Sequence, residues 1–337
     1  MAHEISMVSG RAEVFALGGM WHGLGQVVQT AQNRKEAEVL SGTDYVVQFA
    51  SVFGQAPHWA PNMMVAIPDR VMQYRTKPDG SPVYLGTVSN KFQTIQNAQA
   101  WDAMDAILGE SGAAYTSAGV LRDGRRVFIQ ARMPGEVVIA GDGPIQKYLT
   151  LANGHDGSLA FRLYFTATRI VCQNTLSASL RDADSGVTLR HIGGDVSARV
   201  REAAGVVGRA NAYFAAVAAR MDALAQAKAD VVDVQRFIAE VYPDHSTGIG
   251  TRKVEHSRKC QRDDVMIAYG TAPGHAEIQG TWWGAVNAVT WHEDHGKWLG
   301  STVKVERRVE AMAFGAGNDR KQQAFDLACD FAGVTRD

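Results

Sequence analysis

The chain has 337 residues, 34 Lys and Arg against 35 Asp and Glu, and a formal charge of -1. That balance excludes a uniformly basic nucleic-acid coat and an acidic tail protein, and 46% hydrophobic residues exclude a chain that is mainly disordered. No apolar run reaches the ~18 residues a bilayer span needs, and the start, MAHEISMVSG, lacks the basic-then-apolar order of a signal peptide, so the expectation is a cytoplasmic protein without membrane contact.

In chain order, Trp21-His22-Gly23-Leu24-Gly25 places an aromatic-imidazole pair between flexible residues and reads as a tight turn. Val65–Pro68 and Val71–Arg75 read as strands. They lead into a Lys77-Pro78-Asp79-Gly80-Ser81-Pro82 turn, where Pro presets φ and Gly supplies positive φ, and then into a strand at Tyr84–Ser89. Phe92–Ile95 follows. Apolar spacings of three and four at Ala100, Trp101, Met104, Ile107 and Leu108 predict a helix, with Asn97 as its N-cap and Gly109 as its stop.

Asp123-Gly124 predicts a two-residue hairpin loop between Ala114–Arg122 and Arg125–Met133. The simple register puts Ala118, Val120, Val127, Ile129 and Ala131 on a core face. It puts Tyr115, Ser117, Arg126, Phe128, Gln130 and Arg132 on a wet, partly basic one. Ala160–Thr168 alternates likewise, with Arg162 and Tyr164 outward, and Thr168 is positioned to cap a helix over Arg169–Leu180.

From Val196 to Leu224 apolar residues recur at four and three without a break, the seam of a long heptad-patterned helix. A shorter helix, Val234–Val241, begins at Asp233; Asp244–Gly250 is a loop, and helices are expected over Thr281–Thr290 and Asp319–Phe331. The fold class expected is α+β: an N-terminal antiparallel sheet with packed helices over residues 1–192, then a mainly helical region over residues 193–337.

No Walker A sequence, dinucleotide-binding glycine pattern, Gly-x-Ser-x-Gly elbow or His-Glu-x-x-His stands in the chain. Its three cysteines are far apart, without CxxC pairing; Cys172 lies on an apolar face and reads as a small core residue. His292-Glu293-Asp294-His295 is the one candidate metal cluster, with His292, Asp294 and His295 as ligands; a polar helix end accounts for the same residues without metal. Arg126, Arg132 and Arg162 interleaved with Tyr115, Phe128 and Tyr164 combine phosphate-pairing forks with surfaces for base stacking. Arg252, Lys253, Arg258, Lys259 and Arg262 form the steepest local charge and suit a nucleic-acid backbone. The competing account pairs these arginines with carboxylates and covers the aromatics.

Four separated stretches together resemble one family: Trp21–Gly25, Leu85–Phe92 with Gln96-Asn97, Thr168–Leu176, and Trp283–Thr290 with Asp294-His295. They are similar to the phage/plasmid-like proteins grouped as a domain of unknown function. The chain departs from that pattern at Trp291-His292-Glu293, where the family tends to have Glu-Tyr-Val. The resemblance implies carriage by mobile elements and, by association, a task in their DNA metabolism. The order hairpin, strand, helix over residues 115–180 is also similar, at fold level only, to the single-strand annealing recombinases of the Red-beta and RecT kind.

Three readings follow. The first is a non-enzymatic, oligomeric single-stranded DNA-binding protein that promotes strand annealing and recombination without a cofactor. The second is a metal-dependent enzyme acting on nucleic acid or nucleotides, and the third a mobile-element protein that blocks a host system through protein contacts.

Overall fold

The computed structural model describes residues 6–8, 10–17, 25–30, 32–55, 63–108, 114–139, 142–169, 175–176, 186–193, 198–199, 210–244, 252–296 and 316–335. The protein comprises two compact units, each made of several chain segments. One comprises Met1–Met133, Leu149–Tyr164 and Gly186–Gly208, and the other Pro134–Tyr148, Phe165–Ser185 and Arg209–Asp337. No described helix is long and apolar enough to cross a membrane.

The class is α+β. Short strands β1 (Met7–Val8) and β2 (Arg11–Ala12) pair with each other. The largest sheet holds β3 (Val14–Leu17), β4 (Gln26–Val28), β8 (Ala114–Leu121), β9 (Arg126–Ile139), β10 (Gly143–Gly154), β11 (Phe161–Arg169), β12 (Thr175–Leu176) and β13 (Gly186–Leu189). Its order is β12-β11-β10-β9-β8-β3-β4, with β13 also on β11. The β3–β8, β8–β9, β11–β12 and β11–β13 pairs are antiparallel, whereas β3 and β4 are parallel. A second sheet joins β5 (Gln48–Gln55), β6 (Met64–Thr76) and β7 (Pro82–Ser89), both pairs antiparallel.

In the first unit, helix α1 (Arg34–Ser41) starts with a capping box, Asn33 with Glu36, and stops at Gly42 in the left-handed region, φ 66°. Helix α2 (Asn97–Leu108) lies where apolar spacing places it. Its Trp101 stands edge-on to Tyr115 at 4.8 Å and donates to Thr43. Arg34 ties the two helices together by reaching Asp102 at 2.7 Å and Asp105 at 2.8 Å. Asn97, expected as the cap, is instead buried: its amide donates to the Tyr45 carbonyl and its oxygen meets His155 Nε2 at 3.0 Å. The helix entry is held by Gln96 N–H donating to Gln99 Oε1.

The Asp123-Gly124 loop forms as expected, although Arg122, expected to end the strand, also takes positive φ, 53°, and β8 ends at Leu121. Asp123 and Gly124 themselves take φ 58° and 103°, and Arg125 N–H donates to the Arg122 carbonyl. Leu121 pairs Arg126 and Val120 pairs Val127, the register of a two-residue loop. A bulge at Thr116 then shifts the alternation, so Tyr115 pairs Ala131.

The second unit is helical in its C-terminal part: α3 (Ala210–Gln226), α4 (Val231–Val241), α5 (Arg252–Thr271), α6 (Trp282–Asp294) and α7 (Ala316–Ala332). Only the last part of the expected heptad seam falls in described helix: Phe214, Val217, Met221 and Leu224 are buried along α3, which packs against α6. Val196, Val200, Ala203 and Val207 lie outside the described residues. Asp230, not Asp233, caps α4, its carboxylate accepting from Asp233 N–H. Helix α6 is buried along nearly its whole length: Trp282 packs with Phe237 and Phe331, and Trp283 donates to Asp142.

The helix expected over Arg169–Leu180 is corrected at its described positions. Arg169 ends β11, and Thr175–Leu176 return antiparallel to it, pairing Thr168 and Ala167. The hydrogen bonds that this edge of β11 offers compete with a helix's own, and β-branched Thr175 suits the pleat.

Candidate nucleic-acid interface

The predicted wet face exists in part. Ser117 donates to Gln130, and Gln130 donates to Thr150, both at 3.2 Å, forming a polar ladder across β8, β9 and β10. Alternation on β9 puts Arg126, Phe128 and Arg132 on this face. Phe165 of β11 and Lys147 of β10 both meet the Phe214 ring, so Arg162 and Tyr164 alternate to the face that carries Thr150.

Two of the aromatics are not presented there. The bulge at Thr116 turns Tyr115 to the opposite, core face, where its hydroxyl donates to Asp105; burial and that carboxylate push its ionisation well up. Phe128 is on the expected face but buried. Tyr164 is partly covered, with burial raising its hydroxyl. Base stacking on this set is therefore largely closed. Of the guanidiniums, Arg126 donates to Ser158 at 2.9 Å, whereas Arg132 and Arg162 are exposed and have no ion-pair partner among the described residues.

A feature that patterning did not single out flanks the Asp123-Gly124 turn. The Arg125 guanidinium stands 5.7 Å from the centre of the Tyr84 ring, and that ring is 48% exposed. Arg122, Arg125 and Arg126 crowd this turn, a local signal readable in the Arg-Asp-Gly-Arg-Arg sequence; its aromatic partner comes from β7, which local patterning does not reach.

The second basic group lies on α5. Lys259 is exposed and 3.9 Å from Asp263; Arg258 donates to Gln261; Arg262 is paired with Asp244 and the Tyr242 carbonyl. The side chains of Arg252 and Lys253 lie outside the described residues. Within its unit this patch is thus partly neutralised by its own neighbours.

His292-Glu293-Asp294-His295 forms the end of α6 and is buried over its first three residues. Lys321 Nζ donates to Asp294 at 2.7 Å, both side chains 1% exposed. Glu293 accepts from the Tyr242 hydroxyl at 2.8 Å and from Arg320 at 3.1 Å; burial, then Glu293, holds the Tyr242 hydroxyl well above its ordinary range. The His292 ring is edge-on to Tyr242 at 5.9 Å. Cations occupy the carboxylates that a metal would need, and among the described residues no group of three or more His, Cys, Asp or Glu could hold a metal ion.

A second polar cluster lies in the first unit. Arg75 forks onto Glu13 at 2.7 and 3.0 Å and stands 4.7 Å from the Tyr45 ring centre. Tyr45 donates to the Gly124 carbonyl, and His155 lies edge-on to Tyr45 and bonds Asn97. Burial lowers His155 to about 3, so the ring is neutral. Asn153 donates to the Ile95 carbonyl and His191 lies 3.1 Å from the Gln93 carbonyl, which closes the floor of β10 against the entry to α2. None of these spacings appears as a sequence motif.

No curated protein and no solved structure matches the chain. A family model described as a domain of unknown function, DUF932, matches residues 84–323, which include the Asp123-Gly124 hairpin, Arg162 and the paired charges of α6 and α7. With most of its length inside that match, the chain belongs to the DUF932 family.

Proposed function

We propose that this protein is a non-enzymatic single-stranded DNA-binding protein of a mobile element, which holds a strand by its phosphates and assists annealing of complementary strands. One observation carries the reading: Arg132 and Arg162 are exposed on one sheet face without ion-pair partners among the described residues. The contrast with Arg34, Arg75, Arg262 and Arg320, each held by a carboxylate, makes these two available for an external anion. Arg125 and Tyr84 at the hairpin turn supply a further cation and one exposed ring.

On this reading, phosphate neutralisation does the work. Guanidinium forks pair phosphate oxygens and release counterions. Two complementary strands, each partly neutralised, then repel less on approach. With Tyr115 and Phe128 buried, base stacking contributes little, so affinity depends weakly on base sequence and steeply on salt.

The test is fluorescence anisotropy of a labelled oligonucleotide against R132E/R162E, titrated in salt. The double variant is expected to bind at least tenfold more weakly at low salt. Its log-log salt slope is expected to be smaller by roughly 1.4, from about 0.7 per phosphate contact on single strands. Unchanged affinity in a variant that unfolds at the wild-type temperature refutes the reading.

A further inference from the structure

Phosphate pairing by Arg132 and Arg162 does not by itself prefer a single strand, since a duplex carries the denser charge. A preference needs a surface that only an unpaired base can meet, and the buried Tyr115 and Phe128 do not give one. The second sheet has such a surface beside the hairpin turn. On β7, Tyr84 and Thr87 are exposed, whereas Leu85 and Val88 are buried. Tyr84 stands opposite Tyr74 in the β6–β7 register, so both side chains lie on one face. The Tyr84 hydroxyl and Thr87 Oγ1 hydrogen-bond at 3.0 Å, which fixes the ring along the sheet. Arg125, 5.7 Å from the ring centre, is half-buried, and its Nε is covered without an acceptor among the described residues. A guanidinium partly removed from water is costly unless an anion meets it. The carboxylates of the flanking turns are bonded within their own loops, Asp79 to Ser81 and Asp156 to Ser158.

We infer that Tyr84 and Arg125 form the site that selects single strands over duplex: the Tyr84 ring stacks on one unpaired nucleobase, and the Arg125 guanidinium pairs the phosphate beside that base. The inference rests on the strand-holding reading and adds the discrimination that reading lacks. Charge selects an anion, because the turn carries Arg122, Arg125 and Arg126 against Asp123 alone. The fixed ring narrows the choice of anion. A cation without a counterion next to an exposed aromatic fits a planar base joined to a phosphate. In a duplex the faces of paired bases are covered by their stacked neighbours, so the ring has nothing to meet. Every base has such a face, so the site reads pairing and not sequence. One strand can reach both groups of contacts. Arg126, next to Arg125, meets Ser158 at 2.9 Å, and Arg162 follows Ser158 by four residues, at most ~14 Å of chain.

The experiment is anisotropy of the full-length protein with one labelled oligonucleotide in three forms: single-stranded, paired with its complement, and as an abasic strand of equal length. The variants are Y84A, Y84L and R125Q, with thermal unfolding as the folding check; Y84L keeps bulk on the strand and removes the ring. Either Tyr84 variant is expected to bind the single strand about 5- to 100-fold more weakly, the worth of one stacked base. The loss on duplex and on the abasic strand is expected to be smaller, so the single-strand-to-duplex ratio falls. The salt slope is expected to hold in the Tyr84 variants, which lose no charge, and to drop by about 0.7 in R125Q. A ratio that stays at the wild-type value in a folded Tyr84 variant overturns the inference. So does an equal loss on the abasic strand, or a wild-type slope in R125Q. In each of those cases a weakened R132E/R162E leaves the strand-holding reading standing, whereas a wild type that binds no form of the oligonucleotide refutes both.

Discussion

The buried cluster at the end of α6 is built from full charges, Lys321 with Asp294 and Arg320 with Glu293, whereas the one beneath the Asp123-Gly124 turn is built, Arg75 and Glu13 apart, from neutral groups. His155 in the second cluster is kept uncharged by the same burial that Lys321 and Asp294 withstand as a pair. The difference follows from the partner available. An opposite charge at 2.7 Å offsets part of the cost of taking each member out of water. A ring facing Asn97 and Tyr45 has no such counterion, and giving up its proton costs less than burying the charge.

The strongest way to break this comparison is K321M. It leaves Asp294 buried without its ammonium, with an expected loss of about 3–5 kcal/mol of unfolding free energy by chemical denaturation. The double variant K321M/D294L is expected to recover most of that loss, because no lone charge remains. A single variant near wild-type stability shows that the pair is not the neutralising contact.

Next in size is the pH dependence of His155. Its folded value of about 3 lies below the ordinary unfolded value of ~6.5. The neutral ring therefore contributes its full stability above pH ~6.5. That contribution is lost as pH falls, since the unfolded chain binds the proton first, by up to about 1.4 kcal/mol per pH unit down to pH ~3. The stability difference between wild type and H155Q is expected to shrink over that window and stay flat above it; parallel curves contradict a buried neutral histidine.

N97A tests the neutral cluster from the helix side, removing partners of His155 and of the Tyr45 carbonyl, with an expected cost of about 1–3 kcal/mol. D230A sets the lower end of the scale: an exposed helix cap outside both clusters, expected at about 1 kcal/mol.

Local rules read much of the fold correctly where one short stretch contains the whole cause. The Asp123-Gly124 turn needs two positive φ values, and its two residues supply them. Helix α2 follows its apolar spacing, and the Lys77–Pro82 turn closes as its Pro and Gly require, with Lys77 N–H bonded to the Ser81 carbonyl. The same rules misplaced Tyr115, because one extra residue at Thr116 reverses alternation and nothing in Tyr-Thr-Ser announces it. They placed a helix on Thr175–Leu176 because apolar spacing is silent about a neighbouring edge strand.

The candidate interface divides likewise. Arg126, Arg132 and Arg162 were legible as a basic set, but exposure separates Arg132 and Arg162 from Arg126, and burial withdraws Phe128. Tyr84 joined the set only because β7, a strand of the second sheet, lies beside the hairpin turn.

Sequence by itself determined the α+β class and the main hairpin with its register up to the bulge, because each depends on neighbouring residues or on composition. Tertiary structure alone decided which arginines face solvent, that α6 ends in paired buried charges, and that His155 is neutral. Those outcomes depend on desolvation and on counterions brought from residues far apart in the chain, Asp294 from Lys321 and Glu13 from Arg75, and no local pattern encodes that distance.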